Sequence, residues 1–262
     1  MDLMTIIGGT VGLGVVMFVI HNGDMTKYLL NLEAFVRIFG GTVGSIMISY
    51  PWSALQHIPN ALKMMIFPPK RPPPNLLINT FVRLAETSRR SGADSLAAEL
   101  RGLPHPFMGD CLQMILDGLD EETISDRCER DIVATRHRHL QVSGIFKAAG
   151  TYSPIFGLLG TLIGVVAVLR NIENPAAMGA SMAVAMTASF YGIFAANFLF
   201  LPIASKLNFY SDEEVLSREL IAKGTLCLVR GEVPWLIAKK LEAYLSFQLR
   251  QGGAKSYRVP AA

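Results

Sequence analysis

The sequence has 262 residues, of which 51% are hydrophobic and 17% are charged, and its formal net charge is +3 at pH 7. An ordinary soluble domain has about 25% charged residues, so this composition excludes a typical soluble protein and indicates a membrane protein. The small net charge gives no indication of a nucleic-acid partner.

Four stretches of the sequence contain no Asp, Glu, Lys or Arg and are long enough to cross a bilayer. They lie between Asp2 and Asp24, between Arg37 and Lys63, between Lys147 and Arg170, and between Glu173 and Lys206. A membrane-spanning helix needs about 20 apolar residues. The first stretch has no preceding basic residue and no clear cleavage site, so we expect a retained span rather than a removed signal peptide.

The basic residues predict the orientation of these spans. Of the 24 Lys and Arg residues, twelve lie in residues 51–147 and nine in residues 205–262. The positive-inside rule therefore puts both segments and the N-terminus in the cytoplasm. The predicted domains are spans 1 and 2 in 1–50, a helical cytoplasmic insertion in 51–147, spans 3 and 4 in 148–204, and a cytoplasmic tail in 205–262.

The cytoplasmic insertion has the spacing of helices. A stiff Pro-rich link runs from Pro68 to Pro74, and apolar residues then recur at helical spacing from Leu76 to Leu119. The acids Asp120, Glu121 and Glu122 suit the positive N-terminus of a longer helix, which can run directly into the third span.

The tail is also expected to be helical. A capping box at residues 211–214 predicts the start of a helix, and a break is expected near Gly231 and Pro234. The sequence contains no alternation typical of strands, so the predicted fold class is all-α: a polytopic membrane protein with four transmembrane helices and a helical cytoplasmic domain.

Three cysteines lie in the predicted cytoplasmic segments. Cys111, Cys128 and Cys227 lack the paired spacing of metal ligands. We expect them to be reduced packing residues, because thiols stay reduced in the cytoplasm.

The last two spans contain small and polar residues that a purely lipid-facing helix does not need. In the third span, Gly157, Gly160 and Gly164 lie along one flank and predict the close approach of another helix. Pro154 and Thr161 share a face about 10 Å apart. The fourth span has a comparable stripe: Met182, Ala185, Ser189, Gly192 and Ala196.

These groups suggest the lining of an ion path, although the spans have no acid of their own. The ionisable group is then expected on another protein. The alternative is that the hydroxyls of Thr161 and Ser189 only bond back to carbonyls of their own helix.

The run from Tyr152 to Gly164, YSPIFGLLGTLIG, resembles the third transmembrane helix of flagellar stator A subunits, the MotA/PomA family within the MotA/TolQ/ExbB superfamily. The likeness continues through residues 171–175, 182–185, 191–192 and 201–204 and covers nearly the whole chain. Two spans before the insertion are typical of the MotA branch, since TolQ-like chains have one.

The resemblance implies a ring, a pentamer in the family, around two helices of a MotB/PomB-type B subunit whose Asp carries H⁺ or Na⁺. The family prolines map to Pro154 and Pro202, and the hydroxyl positions near the partner Asp map to Thr161 and Ser189. We include Tyr152 of the same motif in the ion path. No enzymatic activity and no cofactor are implied beyond the transported ion, and the expected location is the bacterial inner membrane.

The resemblance also implies that charges in the insertion push on the flagellar switch protein FliG. The family arginine matches Arg89 or Arg90, but the glutamate expected eight residues after Arg89 falls on Ala97. Asp94 and Glu99 are the nearest substitutes. The alternative is a solvated charged face without a partner.

A second departure is Thr151, where many relatives carry an Asp before the proline of the third span. The main alternative function is an ExbB/TolQ-like energiser of an outer-membrane or gliding system. A secondary transporter is a further alternative, but such proteins usually carry their own ionisable groups at mid-membrane. A purely structural scaffold would pass no ions with any partner.

Overall fold

The protein is built of helices and short turns in the part of the chain that the computed structural model describes, which is residues 3–23, 29, 31–68 and 71–245. Its α-helices are α1 (Leu3–Asn22), α2 (Leu32–Ser49), α3 (Trp52–Leu55), α4 (Ile58–Ile66), α5 (Pro74–Ser91), α6 (Pro106–Leu116), α7 (Glu121–Arg170), α8 (Pro175–Phe194), α9 (Leu201–Val229) and α10 (Pro234–Leu241). Ala93–Gly102 and Glu242–Tyr244 are 3₁₀ helices, and Ala195–Phe200 is π-helical. No strand occurs among these residues, and the all-α prediction is confirmed.

Among the described residues, four helical stretches are long and apolar enough to cross a membrane. They are Leu3–Asn22, Leu32–Ser49, Glu121–Arg170 and Pro175–Val229. Each overlaps one uncharged stretch of the sequence, so the prediction of four spans is confirmed. The third is one helix of 50 residues that begins at Glu121. This confirms that the helix predicted to start at the acids of residues 120–122 runs directly into the third span.

The chain divides into two compact units, each made from two separate pieces of sequence. The first, which we call the membrane unit, is Met1–Pro69 with His139–Phe209. The second, which we call the polar unit, is Lys70–Arg138 with Tyr210–Ala262. The predicted domains 1–50, 51–147, 148–204 and 205–262 concern membrane topology and stay a prediction.

The second span is shorter than its uncharged stretch, because its helix stops before a proline. Tyr50 is extended, with φ −129° and ψ 136°. The ring of Pro51 disfavours the helical conformation in the residue before it. The chain continues in α3 and α4, and Ala61 of α4 is buried beside Phe146 and Ile203. These short helices therefore belong to the membrane unit.

The polar unit has a closed apolar core. Its buried side chains come from five α-helices and include Leu77, Phe81, Leu84, Leu112, Ile124, Ile221 and Ile237. A Cβ at Gly224 of α9 would lie 2.6 Å from the ring of Phe81, so this close packing requires glycine. The helical spacing from Leu76 to Leu119 corresponds to α5, the first 3₁₀ helix and α6, which confirms that prediction.

The capping box predicted at residues 211–214 is wrong. Ser211 lies inside α9, which begins ten residues earlier at Leu201, and its side chain is buried. Glu214 accepts hydrogen bonds from Arg218, at 3.1 and 3.2 Å, rather than from a helix start. A local motif was overridden by tertiary packing, because Leu207, Ser211 and Val215 form one buried face of a continuous helix.

The break predicted near Gly231 and Pro234 is confirmed. Helix α9 ends at Val229, Gly231 has φ +64°, and α10 begins at Pro234. Glycine is favoured at this φ because it has no Cβ.

Candidate functional site

The third and fourth spans touch through their backbones. A Cβ at Gly192 would lie 2.6 Å from the carbonyl oxygen of Ser153 and 3.1 Å from the Cα of Gly157. One at Gly160 would lie 2.6 Å from the Cβ of Ala188. The close helix approach predicted from the glycine spacing is therefore confirmed, and Gly192 on the fourth span contributes to it.

Polar groups follow this contact. The buried hydroxyl of Ser153 donates to the carbonyl of Gly192 across the two spans, at 3.1 Å. The next residue, Pro154, lies inside α7 and has no N–H for the carbonyl of Gly150. This part of the third span thus has a backbone oxygen without its usual helical donor.

Two hydroxyls predicted for the ion path reach neighbouring carbonyls of the third span. Thr161 donates to the carbonyl of Leu158 at 2.6 Å, and Ser189 donates to the carbonyl of Gly157 at 3.4 Å. Thr161 therefore bonds back within its own helix, as the alternative interpretation proposed, whereas Ser189 bonds across to the other span. A hydroxyl that donates keeps its lone pairs, so both oxygens remain able to accept.

The other predicted path residues lie farther along the helices. Tyr152 is about 13 Å from Thr161 along the axis of α7 at 1.5 Å per residue, and its hydroxyl lies 3.1 Å from the hydroxyl of Ser49 on the second span. Pro202 is exposed near the start of α9, thirteen positions or about 20 Å after Ser189. The structure thus places the hydroxyls of Thr161 and Ser189 at adjacent carbonyls of the third span and leaves Tyr152 and Pro202 apart from them.

A π-helical turn precedes Pro202, and the sequence analysis missed it. The N–H of Leu201 bonds to the carbonyl of Ala196, five residues earlier. Pro202 cannot donate to the carbonyl of Phe198, so the wider turn lies where the regular ladder is already interrupted. Such turns are rare and often lie at functional sites. The available signal was Pro202 itself.

The predicted charged face lies at the end of α5 and in the 3₁₀ helix after it. Arg89 and Arg90 are exposed in the last turn of α5, and Asp94 is exposed in the first turn of the 3₁₀ helix. Glu99 forms an ion pair with Arg83 at 3.0 Å. Arg83 was missed, since the pair spans sixteen residues and shows no helical spacing.

A second charged cluster in the polar unit holds helices together. Arg218 of α9 pairs with Asp131 of α7 and with Glu214, and its guanidinium lies 5.1 Å from the ring centre of Phe107. His105 caps the start of α6, because its Nδ1 accepts a hydrogen bond from the backbone N–H of Phe107 at 3.1 Å. Burial is the largest cause of the lowered pKa of His105, and the positive charge of Arg218 is the second. These contacts organise the unit and do not form a reactive centre.

Residues 99–220 match the family model described as the MotA/TolQ/ExbB proton channel family. The chain is 32% identical to the chemotaxis protein PomA of Vibrio alginolyticus over 247 residues, which are 94% of this chain and 96% of that protein. It is 32% identical to motility protein A of Bacillus subtilis over 217 residues, 83% of this chain and 80% of that protein.

The structure is similar to that of the flagellar MotAB stator complex from Bacillus subtilis. The TM-score is 0.88 at 31% identity, covering 97% of this chain and 99% of the matched chain.

Proposed function

The chain belongs to the MotA/PomA family, and on that premise we propose that it is a ring-forming stator subunit of the bacterial flagellar motor. With a B subunit, it couples H⁺ or Na⁺ flow across the inner membrane to torque on the rotor.

The observation that carries this proposal is the pair of hydroxyls at adjacent carbonyls of the third span. Thr161 and Ser189 present oxygens beside Leu158 and Gly157, within spans whose cores have no carboxylate. Oxygens assist a partly dehydrated cation but do not store a proton. The ionisable group must then come from a partner.

The proposed partner is a MotB/PomB-type B subunit whose intramembrane Asp lies beside these hydroxyls. The proposed ring is a pentamer, in keeping with the family, and its cytoplasmic charges act on the switch protein FliG. The N- and C-termini are proposed to be cytoplasmic, because 21 of 24 basic residues lie in the two segments assigned to that side.

We also propose that the protein is not an enzyme and uses no cofactor apart from the transported ion. An ExbB/TolQ-like energiser is not favoured, because the similarity to chemotaxis protein PomA covers 94% of this chain and that to motility protein A covers 83%.

The test is ion uptake by proteoliposomes that contain the chain alone or the chain with its B subunit. We expect uptake only with both subunits, because the four spans lack a core carboxylate. The matched control is a B subunit whose intramembrane Asp is replaced by Asn, which should abolish uptake. Robust uptake by the chain alone would contradict the stator proposal and support a transporter.

A further inference from the structure

Two cysteines of the polar unit lie together although they are far apart in the sequence. Cys111 is on α6 and Cys128 is on α7, and their sulfur atoms are 3.5 Å apart. Both thiols are buried. The proposed ion path lies in the membrane unit and does not involve them, so the pair needs its own explanation.

The pair is buried but lies beside a surface groove. Cys128 lines a groove of about 350 Å³ between α7 and α9, with Glu129 and Arg136 on one side and Lys223 on the other. Cys111 does not line it. A small polar molecule that enters the groove therefore meets Cys128 first, with Cys111 directly behind it.

The contact between the thiols also makes them unequal. The contact with Cys111 lowers the pKa of Cys128, whereas the same contact and burial raise the pKa of Cys111. Thiolates, not thiols, attack oxidants. The position of Cys128 in the groove and the direction of its pKa shift both make it the sulfur that meets an oxidant first.

We propose that Cys111 and Cys128 are an oxidative modification site that forms a reversible disulfide when a small hydroperoxide enters the groove. In the first step, the Cys128 thiolate attacks the peroxide O–O bond. This gives a Cys128 sulfenic acid and, with hydrogen peroxide, one water. In the second step, the Cys111 sulfur attacks the sulfur of that sulfenic acid. The S–S bond forms, the S–O bond breaks, and the departing hydroxide takes the thiol proton of Cys111 to give a second water. The two thiols together lose two electrons and two protons to the peroxide.

The geometry suits bond formation without large movement. A disulfide has a sulfur separation of about 2.05 Å, so closing from 3.5 Å requires an approach of roughly 1.5 Å. The turn between α6 and α7 contains Gly118, with φ +74°, and the bond would tie these helices together. Cytoplasmic disulfides are usually transient and redox-sensing, and thiol reductants of the cytoplasm would reverse this one. Reversal of the bond rests on the cytoplasmic location proposed for the polar unit, whereas its formation does not depend on the proposed function.

The test is peptide mapping of the full-length protein in native membranes. The membranes are treated with hydrogen peroxide, the protein is unfolded in the presence of a maleimide so that buried free thiols are also blocked, and it is digested with trypsin without reductant. Arg127 precedes Cys128, so trypsin separates the two cysteines into peptides 102–127 and 128–130. We expect these peptides to be joined, to lack two hydrogens, and to separate after dithiothreitol treatment.

Cys227 provides the matched control. It is a third buried thiol, and burial together with a hydrogen bond to Glu232 raises its pKa to about 11. After oxidation, wild type should keep one blockable thiol of three, and Cys227→Ser should keep none of two. Cys128→Ser should keep both of its thiols.

Three results would overturn the proposal. The first is wild-type protein that keeps three blockable thiols at peroxide levels that oxidise a surface thiol. The second is sulfinic or sulfonic acid at Cys128 with no joined peptides. The third is a joined peptide that is found only in a dimer band of a non-reducing gel, since the bond must be within one chain. If the serine variants do not fold, the wild-type peptide map alone decides.

Discussion

At the scale of single residues, the two hydroxyls of the candidate path have different roles. Thr161 is tied to a carbonyl of its own turn, so its rotamer is set locally. Ser189 reaches across to Gly157, so its position depends on the contact between the spans. Both keep oxygen lone pairs that are able to accept.

We predict that Thr161→Ala lowers motor speed and that Thr161→Ser preserves it, because serine keeps the oxygen. If Na⁺ is the coupling ion, the lost hydroxyl oxygen is one ligand fewer for it. A loss of about 1.4 kcal/mol of Na⁺ binding free energy would raise the Na⁺ concentration for half-maximal speed about tenfold. The measurement is motor speed against external Na⁺ at constant proton-motive force. Wild-type speed that does not depend on Na⁺ rules out Na⁺ coupling, and equal speeds for all three proteins contradict a role for this oxygen.

His105 provides a pH-dependent prediction. Its pKa lies below the usual 6.5, first because the side chain is partly buried and then because Arg218 and Arg71 are positively charged. The carboxylates of Glu214 and Asp110 act in the opposite direction and raise the pKa. The unfolded chain therefore binds this proton at higher pH than the folded protein does. The stabilising contribution is complete above pH 6.5 and is lost as the pH falls towards the lower folded pKa.

We expect His105→Asn to reduce this loss, because asparagine also caps helices but does not titrate in this range. The measurement is the melting temperature of the solubilised protein from about pH 7.5 to about pH 5.5. Wild type should lose more stability than the variant. Parallel curves would show that other groups cause the acid sensitivity.

At the scale of helices, the third and fourth spans are joined by a strip of residues without large side chains. Gly157 and Gly160 face Ala188 of the fourth span, and Gly164 faces Ala185. Because these glycines have no side chain, the two helix backbones come into close contact. In a membrane this packing is a main source of helix association. The same strip positions Ser189.

We predict that Gly192→Ala destabilises the protein by about 1–3 kcal/mol, because its Cβ would overlap the carbonyl oxygen of Ser153 at 2.6 Å. Gly179→Ala is the matched control in the same span, since a Cβ there has no neighbour within 4 Å. Thermal unfolding and the level in membranes measure the effect. Equal stability of the two variants would show that the contact relaxes easily.

At the scale of the whole molecule, the two units carry different kinds of surface. The first span has no buried residue and exposes large apolar side chains such as Leu3 and Phe18, which suits lipid or other transmembrane helices. The polar unit instead exposes Arg89, Arg90 and Asp94. Exposed charges contribute little to folding but can direct an encounter with a partner.

We predict that Arg89→Glu with Arg90→Glu impairs rotation while protein level and assembly stay normal. The matched control is Arg127→Glu with Arg130→Glu on α7, two exposed arginines with the same total charge change. Swimming speed and stall torque are the measurements. Normal torque in the first variant would show that other charges, or another target, are involved.

Individual side chains could be predicted from the sequence, but their partners in the folded chain could not. Glu99 was identified as a substitute charge, but its partner Arg83 was not. The pairing separates Glu99 from the other predicted charges of this face, Arg89, Arg90 and Asp94, which are exposed. Likewise, the residues at 211–214 have the pattern of a capping box but do not start a helix, because the buried face of α9 continues through them.

Sequence alone determined the fold class, the four spans and the glycine flank, because hydropathy and helical periodicity are local properties of the chain. The assignment of Thr161 and Ser189 to an ion path came from the family resemblance and stays a prediction. Only the tertiary structure decided that Ser189 reaches Gly157, that Glu99 pairs with Arg83, and that the sulfurs of Cys111 and Cys128 meet. Those contacts depend on which faces of distant helices pack together, and that choice is made by the energy of the whole packed core.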